Sequence, residues 1–247
     1  MNIFFTLLYQ PLFNLLVWLY DVLPGNDIGI AIIAMTAIIR ILLLPMSGQS
    51  LKSQKRMQDL QPKIEEVKAR TKDNKEAQAK ELMQLYKTEK VNPLSSCLPL
   101  VVQLVILIAL YQVLSAGLNS TSLDALYPFV HNPGHLDAMF LGKVDLATPN
   151  VVLAVLAGIV QFFQARMMIT KRSKPVTPGA KDEAMLATMN KSMLYFMPVI
   201  TVVIGASLPG GLALYWLVSN LFMVGQQIFV FRKQDSTQAS ADIVVEK

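Results

Sequence analysis

The stretch IGIAIIAMTAIIRILLLPM, residues 28–46, decides the fold class of this chain. It holds 19 residues, and Arg40 is the only charged one among them. A helix needs about 20 predominantly apolar residues to cross the hydrocarbon core of a bilayer. The segment therefore predicts a membrane-spanning helix, which we place within residues 25–50.

Four more apolar segments of this kind follow along the chain. They predict transmembrane helices within residues 93–118, 150–170, 192–208 and 211–232. The turn Leu208-Pro209-Gly210-Gly211 separates the last two segments, because Pro and Gly end one helix and allow the next to begin. Over the whole chain 53% of the residues are hydrophobic and 16% are charged, whereas soluble domains carry about 25% charged residues. We therefore predict an all-α membrane protein with five transmembrane helices.

The charged loops predict how these helices are oriented. Residues 51–92 carry eleven Lys and Arg against seven Asp and Glu, and residues 171–191 carry five basic and two acidic residues. Residues 119–149 carry one Lys and three Asp. Because basic loops stay in the cytoplasm, the pattern predicts a multi-pass protein of the inner (plasma) membrane, with its N-terminus outside and its C-terminus in the cytoplasm. The same rule explains the net charge of +5 without any direct recognition of nucleic acid.

The segments between the predicted spans differ in character. Residues 1–24 mix aromatic and polar residues, which favours an amphipathic helix lying along the membrane interface. Residues 51–92 are rich in helix formers with apolar residues at helical spacing, which predicts a cytoplasmic helical hairpin. Residues 119–149 form the predicted extracytoplasmic loop and residues 171–191 a cytoplasmic loop. The polar residues 233–247 predict a disordered cytoplasmic tail.

Arg40 is the most informative single residue, because it places a permanent cation inside a predicted span. Such a charge costs at least about 2.5–3.5 kcal/mol on insertion scales. Arg40 lies six residues before Met46, so its side chain could instead extend to the headgroups. No Asp or Glu occurs in the other predicted spans, so a buried ion pair cannot compensate for this charge. We expect local hydration around Arg40.

Neutral polar residues in the other spans are the candidates to line a wet cavity with Arg40. Gln161 and Gln164 are three apart, and Trp216 and Asn220 are four apart, so each pair shares one helix face. Gln103 adds an amide in the second predicted span. The alternative for each residue alone is an ordinary helix–helix hydrogen bond, worth about 0.6 kcal/mol on average.

Several function classes find little support in the residues. His131 and His135 are spaced for a metal, but Pro133 and Gly134 lie between them and no third ligand is apparent, so we expect neither a metal nor a cofactor. The chain carries no catalytic or phosphate-binding motif, so we expect no enzyme. A small-solute transporter or channel stays open as an alternative, and so does a membrane scaffold.

Three groups of residues, in their order along the chain, resemble a known family. Arg40 sits in Ile-Ile-Arg-Ile-Leu-Leu-Leu-Pro ahead of the charged hairpin. Asn92-Pro93-Leu94 and Cys97-Leu98-Pro99-Leu100-Val101-Val102-Gln103 follow. Leu214-Tyr215-Trp216-Leu217-Val218-Ser219-Asn220 and Gln226-Gln227 come last. Over about residues 1–233 this order is similar to the YidC insertases of bacteria, which are related to the mitochondrial and chloroplast insertases.

The resemblance implies a hydrophilic groove that is open to the cytoplasm and the lipid and closed on the outer side. Arg40 matches the groove arginine, Gln164 or its rival Gln161 the groove glutamine, and Trp216 the groove aromatic. The function implied is that of a membrane protein insertase and chaperone, with nascent membrane proteins and the lipid bilayer as partners. The ribosome, a targeting receptor and the Sec translocon are further partners that the family suggests. Arg40 would attract acidic segments of the substrate.

Overall fold

The computed structural model describes residues 3–71, 74–92, 98–118, 125–167 and 192–245. Within them the chain is mostly helical, in agreement with an all-α membrane protein. The helices are α1 (Gln10–Val22), α2 (Ile28–Leu42), α3 (Leu44–Asp59), α4 (Gln61–Arg70), α5 (Lys75–Thr88), α6 (Leu98–Leu118), α7 (Val151–Met167), α8 (Met197–Gly205) and α9 (Gly210–Val245). Short π-helical segments, Phe5–Tyr9 and Ser192–Phe196, precede α1 and α8. The predicted loop 171–191 lies outside the described residues.

The first predicted span is broken at its C-terminal end. The helix α2 stops at Leu42, and α3 continues at an angle of 64° to it. Pro45 is the second residue of α3, where its missing N–H costs no helical hydrogen bond. The prediction put the start of the hairpin at residue 51, whereas α3 runs from Leu44 across that boundary.

The charged segment that follows forms two packed helices, α4 and α5. Asn74 precedes α5, and its side chain accepts hydrogen bonds from the backbone of Glu76 and Ala77 and so caps this helix. Leu60, Ile64 and Val91 form a small buried cluster under this pair. The helices are therefore held together by a satellite core of their own.

The loop of residues 125–150 contacts the ends of several helices. Its two strands, β1 (Met139–Phe140) and β2 (Val144–Asp145), pair antiparallel. Leu146 and Thr148 accept hydrogen bonds from the first backbone amides of α9, at distances of 3.0 and 2.9 Å. Asn14 of α1 also binds this loop, because its side chain donates a hydrogen bond to Ala125 O at 2.9 Å. Consequently α2, α7 and α9 begin near this loop, while α6 ends there.

The main core is apolar and lies between α1, α2, α6 and α9. Phe13, Ile32, Leu110 and Leu212 are among its fully buried residues. On the far side of α9, α7 packs against both α9 and α8. Many apolar side chains face outward; Val152, Val203 and Phe229, for example, are each more than 60% exposed. Such a surface suits lipid rather than water.

By helix length, fewer spans can be assigned among the described residues than the five that the sequence predicts. Among the described residues Gly210–Arg232 can cross a membrane alone, and the bent pair Ile28–Leu42 and Leu44–Met57 can do so if it is counted as one span. Three other apolar helices, Val101–Gly117, Val151–Met167 and Leu194–Gly205, are shorter. The count of five spans therefore stays a prediction.

The last helix is longer than expected from the sequence. Residues 233–247 predicted a disordered tail, whereas α9 continues through Val245. The backbone of this segment is compatible with a helix because Gln234, Gln238 and Ala239 are good or moderate helix formers.

Candidate functional site

Arg40 lies in the last turn of α2, directly before the break at Leu43. Its side chain is half-buried and reaches across to α6, where Nη2 donates a hydrogen bond to Gln103 Oε1 at 2.8 Å. The guanidinium therefore points at a neighbouring helix. A cation at a helix C-terminus is also favoured by the backbone carbonyls that end there.

Gln103 in turn binds α9. Its Nε2 donates to the hydroxyl oxygen of Tyr215 at 3.2 Å, and the Tyr215 side chain is only 1% exposed. Arg40, Gln103 and Tyr215 thus form a chain of two hydrogen bonds that links α2, α6 and α9. A buried tyrosine hydroxyl needs such a polar partner.

The partner of Arg40 is neutral. Among the described residues no carboxylate lies within ion-pair distance of the guanidinium. Its Nε atom is buried and has no hydrogen-bond partner in that part of the chain. Within the described part of the chain, the positive charge of Arg40 is therefore met by one amide oxygen and by no anion.

A second polar strip lies between α7 and α9. Asn220 is 8% exposed, and its Nδ2 donates to Ala157 O at 3.3 Å. One helical turn beyond Ala157, the Oε1 atom of Gln161 is buried without a partner in the described structure, and so is the Oγ atom of Ser219. Unsatisfied buried polar atoms are costly in a dry interior, so this strip is a place where water or a polar ligand would be stabilised.

The predicted site residues are thus brought together only in part. Arg40 and Gln103 are in direct contact, and Asn220 and Gln161 lie along the α7–α9 strip. Gln164 and Trp216 are half-buried, and the described residues record no hydrogen bond for either. Among the described residues no hydrogen bond joins Arg40 to this strip.

Two polar contacts, those of Tyr215 and Gln226, were not predicted from the sequence. The sequence predicts Trp216 as the site aromatic, and this stays a prediction. The aromatic residue in the hydrogen-bond chain from Arg40 is its neighbour Tyr215, and a hydroxyl in an apolar span was the available signal. Gln226 appears in the sequence analysis only within the motif Gln226-Gln227. Its Nε2 donates to Ser47 Oγ at 2.8 Å and to Leu44 O at 3.3 Å, directly at the α2–α3 break.

Of the two histidines, His131 takes part in a different contact. His131 Nδ1 lies 3.4 Å from a carboxylate oxygen of Asp21. Among the described residues no group of three or more His, Cys, Asp or Glu is placed to hold a metal ion.

Comparison with known proteins identifies the family. The family model described as 60Kd inner membrane protein matches residues 18–238. A membrane protein insertase YidC from Fusobacterium nucleatum subsp. nucleatum is 37% identical over 213 residues, which are 86% of this chain and 90% of that protein. Another, from Francisella tularensis subsp. novicida, is 36% identical over 215 residues, or 87% of this chain and 34% of that protein. This chain thus spans most of the first relative and about a third of the second, and it belongs to the 60Kd inner membrane protein family, the family of the YidC insertases.

Proposed function

We propose that this chain is a membrane protein insertase that helps nascent membrane proteins enter the lipid bilayer through a hydrophilic groove. The family and the names of its relatives support the insertase activity. That activity moves a polypeptide without a covalent reaction, so the chain is not an enzyme. Within the proposal, the groove is open to the cytoplasm and the lipid and lies around Arg40, Gln103, Gln161, Gln164, Trp216 and Asn220.

The proposed role of Arg40 rests on one observation, which is that its guanidinium is half-buried and is bound by a neutral amide. An uncompensated cation in a region of reduced dielectric attracts anions more strongly than it would in water. Acidic residues of an incoming chain would therefore be drawn toward α2. The attraction must be transient, because a strong ion pair would hold the segment in the groove.

Insertion then needs no nucleotide in this mechanism. The apolar helix of the substrate moves sideways from the groove into lipid, and this burial releases about 25 cal/mol per Å² of apolar surface. The polar segment crosses a shorter apolar distance because the groove is hydrated. The unsatisfied polar atoms of Gln161 and Ser219 support such hydration.

Orientation and partners form part of the same proposal. The basic loops place the α4–α5 hairpin in the cytoplasm, with five spans, the N-terminus outside and the C-terminus inside. In that position the hairpin would receive substrates from the ribosome, a targeting receptor or the Sec translocon.

Complementation of a strain depleted of its insertase tests the role of Arg40. We expect Arg40→Ala and Arg40→Glu to reduce insertion of single-span substrates with acidic tails by on the order of tenfold, the scale of one lost bond to a charged group. Arg40→Lys should retain part of the activity, because lysine keeps the positive charge but lacks the planar guanidinium that binds a carboxylate through two hydrogen bonds. Arg166→Ala is the matched control, since Arg166 is an exposed arginine in the last turn of α7.

Two results would contradict the proposal. If Arg40→Ala and Arg40→Glu both insert acidic-tailed substrates as well as the wild type does, Arg40 has no role in attraction. Single cysteines would be introduced in place of Gln161 and Gln164. If they react with impermeant reagents from both sides of the membrane, the cavity is open to both sides, and the alternative of a small-solute transporter or channel is favoured.

A further inference from the structure

Gln103 is oriented by its two partners. Arginine can only donate hydrogen bonds, so the amide oxygen of Gln103 must face Arg40, as the 2.8 Å contact has it. The amide nitrogen is then directed at Tyr215, whose hydroxyl oxygen accepts from it at 3.2 Å. Because Tyr215 is 1% exposed, its hydroxyl cannot turn to solvent and release the amide. Tyr215 therefore holds the oxygen of Gln103 in front of Arg40.

This contact uses only half of the binding edge of Arg40. Nε and Nη2 point to the same side of a guanidinium and together bind a carboxylate through two parallel hydrogen bonds. Gln103 occupies Nη2, while Nε has no partner among the described residues. A carboxylate that replaced the amide could satisfy both atoms and would also bring the opposite charge.

We propose that Gln103 is the resting partner of Arg40 and that an acidic group of the substrate must displace it. The strength of the Arg40–Gln103 bond then determines how much negative charge a tail needs in order to engage the groove. Gln103 acts as a specificity-determining residue, and Tyr215 as the residue that positions it. This inference rests on the proposed attraction of acidic segments by Arg40.

Insertion of paired substrates tests the displacement. The substrates are single-span proteins whose translocated tails differ only in carrying one Asp or one Asn, and the readout is the ratio of their insertion rates, which is independent of insertase abundance. We expect Gln103→Glu to lower this ratio about tenfold, which corresponds to about 1.4 kcal/mol, because the introduced carboxylate competes for Arg40. Gln103→Leu should raise the ratio, since it removes the resting partner of Arg40 and leaves the guanidinium free for an acidic tail.

The matched control is Gln112→Glu. Gln112 is exposed on the same helix, nine residues from Gln103, so this variant makes the same charge change away from Arg40 and should leave the ratio unchanged. The inference is overturned if Gln103→Glu leaves the ratio unchanged, if Gln103→Leu does not raise it, or if Gln112→Glu lowers it equally. If Gln103→Glu does not accumulate in the membrane, the result with Gln103→Leu decides alone.

The Arg40→Ala variant in the same assay separates this inference from the proposed function. When Arg40→Ala lowers the ratio but Gln103→Glu does not, the attraction by Arg40 stands and only the displacement of Gln103 is refuted. When Arg40→Ala leaves the ratio at its wild-type value, the attraction itself is refuted.

Discussion

Gly158 on α7 offers a sharp test of how closely the helices pack. A Cβ atom built at this position would collide with Val202 Cγ2 and would lie 3.1 Å from the backbone oxygen of Pro198. Both of these belong to α8. The valine side chain could rotate, but the carbonyl oxygen is fixed by the helix backbone. Gly158→Ala therefore requires α7 and α8 to move apart.

Two opposing effects determine the size of the change. Overpacking by one methyl group costs about 1–3 kcal/mol, whereas replacing Gly by Ala inside a helix gains about 0.5–1 kcal/mol. Taking the middle of each range, we expect a net loss of about 1.2 kcal/mol for Gly158→Ala. In a protein of this size such a loss lowers the melting temperature by roughly 2–5 °C.

Gly225→Ala is the matched control. Gly225 lies inside α9, and a Cβ atom there would have nothing within 4 Å, so only the favourable helix term applies. Both variants would be purified into the same detergent, and unfolding would be followed by circular dichroism and by titration with a denaturing detergent. The packing argument is refuted if Gly158→Ala is as stable as the wild type or if Gly225→Ala is destabilised to the same extent.

Two further predictions concern the α4–α5 hairpin. Ile64 is 4% exposed in its small core, so Ile64→Ala should cost about 2–5 kcal/mol and abolish hydrogen-exchange protection in α4 and α5. Met83 is 60% exposed, so Met83→Ala should leave this protection intact. Equal protection in both variants would contradict the role of this core. Burial raises the pKa of the Tyr86 hydroxyl, so its contribution to hairpin stability is complete below the unfolded-state pKa of about 10 and is lost as the pH rises through the higher folded-state pKa. Protection measured against pH should therefore decline in that alkaline range for the wild type and less for Tyr86→Phe, and identical profiles would show that Tyr86 contributes nothing.

The helical nature of the chain and its family were accessible from the sequence. Apolar runs of span length predict helices because a backbone in lipid must satisfy its own hydrogen bonds. Family motifs are short runs of residues, so the order of the motifs between Arg40 and Asn220 can be read directly from the sequence. The confirmed part of the prediction is therefore the all-α membrane class and the family of insertases.

Helix ends were harder to predict. The residues next to the break at Leu43, Leu44 and Ser47, bind Gln226, which lies some 180 residues later in the chain. Propensity around Pro45 alone is compatible with either a kink or a continuous span. The extension of α9 through Val245 shows the reverse case, in which a polar composition was taken for disorder although its residues tolerate a helix.

Residue types and their order are enough to show that a permanent cation lies in an apolar segment, that the predicted spans hold no acid to neutralise it, and that the chain belongs to a family of insertases. Which neutral group binds that cation follows only from how the helices pack. Helical spacing tells which residues share a face, but it does not tell which helix that face meets. The contact of Arg40 with Gln103, 63 residues away, and of Gln103 with Tyr215, 112 residues away, exists because α2, α6 and α9 pack around one core.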